Sequence, residues 1–169
     1  MFIIYTLYII KMDEFHEAVS YSLIGIISLP IILFIMNRDI RYLYIVLFGL
    51  STNMIHHLIK NYSLNYDYEF TKRPIGATNC NLWANNGNVE GKPGFPSGHV
   101  TSITTFFTSI YLLFPEYQSM TLSIGSIYTI FMAYSRMYKK CHTLLQTVTG
   151  ALLGIGFPTF IIELLKLCK

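Results

Sequence analysis

Charge is what this sequence has least of. Of 169 residues, 12 are Lys or Arg and 9 are Asp or Glu, 12% in all against 53% hydrophobic. A soluble domain needs charged residues spread along most of its elements, and here long blocks hold almost none. The cations form no run either, so the net charge of +3 marks no nucleic-acid patch and no nucleic-acid partner is expected. Cysteine is nearly as scarce. Three are too few for a disulfide framework, and no spacing of Cys and His fits a metal site, so neither metal nor other cofactor is expected. There is no internal repeat or low-complexity tract, and no small-residue cleavage site follows the apolar stretch from Met1 to Ile10.

The chain is rich instead in apolar runs. Five blocks match a hydrocarbon core of about 30 Å at about 1.5 Å of helical rise per residue. They are His16 to Met36, Tyr42 to Ile59, Val100 to Phe114 with a polar N-terminal turn, Ser119 to Tyr134, and Thr143 to Leu165. The composition therefore predicts a multi-pass integral membrane protein, all-α, with one domain over 1–169 and the lipid bilayer as its first partner. Met1 to Ile10 is too short to span and reads as a separate interfacial helix before Lys11, Asp13 and Glu14. The third and fourth spans are short and hydroxyl-rich, which places them inside the bundle. Pro30 and Pro158 fall within spans, where they would kink a helix without ending it.

Residues 61–96 form the one long loop, with Asn79, Asn81, Asn85, Asn86, Gly87, Gly91, Pro93 and Gly94 as its turn chemistry. Trp83, Tyr62, Tyr66 and Tyr68 suit a headgroup layer. The loop closes on Gly94-Phe95-Pro96-Ser97-Gly98-His99 and turns directly into the third span. Ser97 is a good N-cap, so the backbone N–H groups of Gly98, His99 and Val100 should face an anion, with Gly98 presenting no side chain to block its approach. Alone, that turn is equally well a capped helix containing a histidine.

Following the spans across the bilayer brings the polar residues to one side. Lys60 ends span 2, Arg73 follows in the loop, Ser97, Gly98 and His99 open span 3, Ser135 and Arg136 end span 4, and His142 and Gln146 open span 5. Cys80 and Cys141 share that side, where an oxidising compartment would permit a disulfide, while Cys168 lies at the other end. Arg73 and Arg136 can each grip phosphate oxygens through two parallel N–H bonds. Arg136, Lys139 and Lys140 near His142 should keep its imidazole neutral and nucleophilic. Gln146, at i+4, can accept the ring N–H and hold it in place. His99, facing a bound dianion, is the candidate general acid. His56 and His57 read as polar packing near a helix end. The hydroxyls of span 3, with Gly150 and Gly154 of span 5, read as close helix packing before substrate groove.

Lys72-Arg73-Pro74, Pro96-Ser97-Gly98-His99, and Ser135-Arg136 followed by five residues and His142 together resemble the three-part signature of the type 2 phosphatidic acid phosphatase superfamily. The resemblance covers about residues 53–154. It implies a bundle of about six helices and a metal-independent phosphatase acting on a lipid phosphate at the lumenal or outer membrane face. It also implies His142 as nucleophile, His99 as acid, and Arg73, Ser97, Gly98, Arg136 and a lysine as phosphate ligands. The pattern wants that lysine seven positions before Arg73, where this chain has Tyr66. Lys60, on one helical face with Asn53, His56 and His57, and Lys72 are the two candidates. Gln146 stands where most members have aspartate, and Ser-Arg-x5-His-Thr-x-x-Gln resembles the dolichyl diphosphate phosphatase branch, hence polyprenyl diphosphate over phosphatidic acid.

The expectation is a lipid phosphatase or diphosphatase of the endoplasmic reticulum or another endomembrane. Two rivals keep the site: a transferase passing the phosphoryl or headgroup to another lipid, and a non-catalytic membrane protein with a residual phosphate pocket. Charge does not fix the orientation, since Lys11, Lys92, Lys139 and Lys140 balance Arg38, Arg41, Lys166 and Lys169.

Overall fold

The computed structural model describes residues 2–63 and 68–168, with side chains from 14 to 61 and from 68 to 168. Tyr66, and with it the lysine position of the family pattern, lies outside the described residues, as do the side chain of Tyr62 and residue Met1. Five α-helices are present and no strand is found among the described residues. They are α1 (Phe2–Asn37), α2 (Ile40–Leu58), α3 (Gly98–Leu113), α4 (Gln118–Tyr138) and α5 (Leu144–Leu167). The separate N-terminal helix expected at Met1 to Ile10 is instead the beginning of α1. Nothing between Ile10 and His16 is a helix stop: Lys11, Met12, Asp13 and Glu14 all tolerate helix, and no Gly or Pro intervenes. Pro30 and Pro158 lie inside α1 and α5, which continue past them.

Among the described residues, three stretches are long and apolar enough to cross a membrane: Glu14–Asn37, Ile40–Asn61 and Leu144–Leu167. The other two expected spans fall short for different reasons. The 16 residues of α3 reach only about 24 Å at the α-helical rise. The 21 residues of α4 are long enough, but Ser119, Thr121, Ser123, Ser126 and Thr129 dilute their hydropathy.

Helix α3 is central and packs on α1, α2, α4 and α5. Its tightest partner is α5, and glycine is the reason. A Cβ at Gly150 would stand 2.7 Å from the Ser97 carbonyl oxygen, and one at Gly154 would strike Thr104. Three hydroxyls of α3 are spent within the helix: Thr101 donates to Ser97 O at 2.9 Å, Thr104 to Val100 O at 2.8 Å and Ser109 to Thr105 O at 2.6 Å. This is the packing role expected of them. Helix α4 is less enclosed than expected, since Ile124, Ile127 and Ile130 on its outer face are exposed. Polarity is inverted across the whole bundle. Inside lie His16, Ser20, Thr52, Thr101, Thr104, Arg136 and Gln146, while Ile27, Ile35, Leu50, Leu152 and Phe160 face outward.

The long loop folds over the end of the bundle where α2 stops and α3 and α5 start. Its turns use the residues their geometry requires: Asn79 and Gly87 hold left-handed φ of 51° and 63°. Asn79 Oδ1 accepts the Gly87 N–H, and Asn86 Oδ1 accepts the Cys80 N–H. Isolated bridges, Lys72 to Pro93 and Thr78 to Asn88, fold the loop back on itself. A small core of Ala77, Cys80, Val89 and Cys141 lies beneath it, and Cys80 and Cys141 form a disulfide.

Candidate active site

The start of α5 fixes the first half of the site. Thr143 is its N-cap and forms a capping box with Gln146: Thr143 Oγ1 accepts the Gln146 N–H at 3.3 Å, and Gln146 Oε1 accepts the Thr143 N–H at 3.2 Å. The amide nitrogen of Gln146 donates to two backbone carbonyls, Phe70 O at 3.0 Å and Lys72 O at 2.7 Å. Those acceptors settle which end of the amide is nitrogen, so Oε1 is the atom that meets His142 Nδ1 at 3.2 Å. A carbonyl oxygen only accepts, so Nδ1 carries the proton and Nε2 keeps its lone pair. Arg73 confirms the tautomer from the other side, because its Nη1 can only donate and stands 3.3 Å from Nε2. Gln146 thus orients His142 as its i+4 position led one to expect.

His142 is 3% exposed. Burial first, then the charges of Arg73, Arg136, Lys60 and His99, holds its pKa well below the ordinary imidazole value and keeps it neutral. The neutral state matches expectation but its neighbours differ. Lys139 is drawn off into an ion pair with Glu17 at 3.3 Å, and the stem of Lys140 packs beside Gly76.

The second half comes from the loop and the start of α3. Ser97 occupies the N-cap position, yet its hydroxyl makes no capping bond, which leaves the first-turn N–H groups of α3 without a side-chain acceptor. Its backbone N–H donates to Gln146 O at 2.9 Å and so ties the start of α3 to α5. Gly98 is needed for a reason other than ligand approach: a Cβ there would stand 2.9 Å from the His56 ring. His56 donates from Nε2 to Pro96 O at 3.2 Å, so this residue, read from sequence as packing, supports the turn itself. Gly94 has a comparable duty, since a Cβ there would fall 2.8 Å from both Arg73 Cγ and Gln146 Oε1.

Three cations complete the site. Arg136, 0% exposed, donates from Nη1 to Ser20 Oγ of α1 at 2.7 Å and from Nη2 to Cys80 O at 2.6 Å. Beside it, His16 Nδ1 lies 3.0 Å from Ser135 Oγ. Arg73 Nη1 also donates to Cys141 O at 2.7 Å, and burial pushes its pKa down to about 10. Lys60, in the π-helical turn Ile59–Ser63 that ends α2, is close enough for its charge to act on both His99 and His142. The Lys72 ammonium pairs with Glu69 at 2.8 Å, and its carbonyl accepts from Gln146. Of the two lysine candidates, Lys60 is the one with the charge in place.

The predicted residues Lys60, Arg73, Ser97, Gly98, His99, Arg136, His142 and Gln146 therefore meet at one end of the bundle. Sequence reading gave no roles to Ser20, His16 or the carbonyls of Cys80 and Cys141. The last two bear no side-chain signature, and Ser20 and His16 lie on α1, outside every motif.

Among the described residues, no carboxylate pairs with Lys60, Arg73 or Arg136. Buried polar atoms of Ser97 (Oγ), His99 (Nε2) and Arg136 (Nε) likewise have no protein partner. Arg136 is buried and Lys60 and Arg73 are half-buried, so holding the three charges together is unfavourable and an anion joining them would relieve it. An all-helical bundle closing such a cluster around an oriented histidine is the layout of a phosphatase-type hydrolase. The chain belongs to the PAP2 superfamily, whose family model matches residues 40–167 and whose members are phosphatases. No curated protein and no solved structure matches the chain.

Proposed function

We propose that the protein is a membrane-embedded lipid phosphatase or diphosphatase that works through a phosphohistidine on His142. The observation that carries this reading is the cluster of Lys60, Arg73 and Arg136, which has no counter-charge among the described residues, beside an imidazole whose Nε2 carries no proton and meets only the Arg73 guanidinium at 3.3 Å. The cations, Ser97 Oγ and the first-turn N–H groups of α3 bind the phosphoryl oxygens. His142 Nε2 attacks phosphorus and forms the P–N bond as the P–O bond to the leaving group breaks. His99 gives its proton to the departing oxygen, then takes one from the water that cleaves the P–N bond and releases inorganic phosphate. Three fixed cations supply the charge stabilisation that a metal ion supplies elsewhere, so the reaction needs no metal.

The lipid character of the substrate rests on the apolar outer faces of α1, α2, α4 and α5. Embedding would place α3 and α4 within the membrane as well, giving five crossings, with the substrate tail left in the bilayer. The disulfide supports a lumenal or extracytoplasmic site, because Cys80 and Cys141 sit beside the arginines and disulfides persist on the oxidising side. Gln146 favours a polyprenyl diphosphate. Detergent-purified protein in a chelator should release phosphate from one or more of a polyprenyl diphosphate, a polyprenyl monophosphate and phosphatidic acid, and His142→Ala should abolish it. Release that depends on added magnesium, or persists in His142→Ala, would refute the mechanism. Phosphate appearing on a second lipid instead of in solution would favour a transferase.

A further inference from the structure

The two phosphate-facing arginines share an unusual anchorage. Arg73 donates to the carbonyl of Cys141 at 2.7 Å, Arg136 to the carbonyl of Cys80 at 2.6 Å, and these cysteines are joined by a disulfide with 5.4 Å between their Cα atoms. They are 61 residues apart in sequence, one in the loop and the other just before α5. We propose that the Cys80–Cys141 disulfide is a positioning element of the active site, holding Arg73 and Arg136 at the separation a phosphoryl group requires; this rests on the proposed reading of the site.

Two guanidiniums side by side repel each other, and among the described residues no carboxylate lies between them to offset that. Before substrate arrives, something else must keep them together. Hydrogen bonds to two separate loops would let the pair spread until an anion pulled it back, and each binding event would then bear the cost of ordering. One covalent bond between the two acceptor residues removes that freedom beforehand, which is how preorganisation raises affinity for an anion. The disulfide also lies in the small core with Ala77 and Val89, so the carbonyls it fixes are backed by packed side chains. Arg136 has a second tether in Ser20 Oγ, whereas the other bond of Arg73 Nη1 is to His142 itself. Loss of the disulfide should therefore displace Arg73 more than Arg136, and disturb the nucleophile with it.

The test is orthovanadate binding by calorimetry in detergent, on the oxidised protein, on Cys80→Ala combined with Cys141→Ala, on Arg73→Lys, and on the three substitutions together. Thiol titration should find one reactive cysteine, Cys168, in the oxidised protein. The double cysteine variant should keep its helical circular dichroism and bind vanadate at least tenfold more weakly. Arg73→Lys keeps the charge but loses the rigid planar fork, so its hold on an oxyanion no longer depends on how Cys141 O is placed; removing the disulfide from it should cost less than a further threefold. Unchanged affinity in the double variant would overturn the proposal. So would a full further tenfold loss on top of Arg73→Lys, which is the mark of general destabilisation. If the double variant does not fold, dithiothreitol can be applied to the folded wild-type protein. It gives up two electrons and two protons, the S–S bond becomes two thiols and the reagent closes to its cyclic disulfide. The same loss should appear and reverse on reoxidation; reduction to three thiols at unchanged affinity would overturn the idea. An oxidised protein that binds no vanadate while Arg73→Lys behaves identically would bring down the site reading and the disulfide's role together.

Discussion

Gln146 does three things with one amide: it closes the capping box of α5, orients His142, and ties Phe70 and Lys72 of the loop to the helix. A carboxylate cannot do the third, because it has no proton to give to those two carbonyls. Gln146→Glu should therefore lower stability by about 1–3 kcal/mol instead of raising the rate, as thermal unfolding in detergent beside initial rates will show. The pKa of His142 makes a second prediction. Burial and the charge of Arg73 depress it, so the neutral nucleophile should persist below about pH 6.5, the ordinary imidazole value. The acid limb of kcat/KM, read with a substrate that does not itself titrate in that range, should lie below that pH and move up toward it in Arg73→Ala. A limb at the same pH in both proteins would refute the charge coupling. The side chains of this site were legible in the sequence because a motif states residue types at fixed spacing. Their anchors were not. The carbonyls of Cys80 and Cys141 belong to the backbone, and the idle hydroxyl of Ser97 is a matter of rotamer that no capping preference reveals.

At the scale of elements, the site depends on how closely α5 approaches the start of α3. Gly150 rests on the Ser97 carbonyl, whereas nothing lies within 4 Å of a Cβ at Gly156 two turns on. Gly150→Ala should push α5 away from Ser97, costing about 1–3 kcal/mol and most of the activity. Gly156→Ala should leave activity intact and gain up to about 1 kcal/mol from helix propensity. Paired melting curves and rates separate the two, and equal effects would contradict the packing account. The helices themselves were largely legible, because apolar runs bounded by polar loops define them. One error came from reading hydropathy as topology. The first run and the N-terminal stretch form one helix, since no stop residue divides them. Helix α3, enclosed by the other four helices, needs neither the length nor the apolarity of a lipid-facing span. Helix α1 carries the plainest omission. It lies outside the matched 40–167, yet its Ser20 holds Arg136, and Ser20→Ala should weaken vanadate inhibition severalfold without changing helix content.

For the molecule as a whole, the inverted distribution of polarity and the disulfide point the same way. Buried serine, threonine, histidine and arginine within a shell of exposed isoleucine and leucine suit a hydrocarbon surround, and a disulfide beside the site suits an oxidising face. The charge balance of the loops was silent on orientation, and the predicted topology permitted a Cys80–Cys141 disulfide without requiring it, because a separation of 61 residues carries no spacing signal. A C-terminal tag should be protected from or exposed to protease oppositely to the Trp83 loop in sealed vesicles, since α5 carries the chain away from the site.

The central claim is that His142 Nε2 becomes covalently phosphorylated. Lipid labelled with radioactive phosphate at the scissile group, mixed with purified protein in chelator and quenched within the first turnover, tests it directly. The account predicts a protein-bound label that is stable in base, lost in acid, absent in His142→Ala, and longer-lived in His99→Ala, where the acid–base partner of hydrolysis is missing. Phosphate release at full rate with no such label, or a label that survives in His142→Ala, would contradict it.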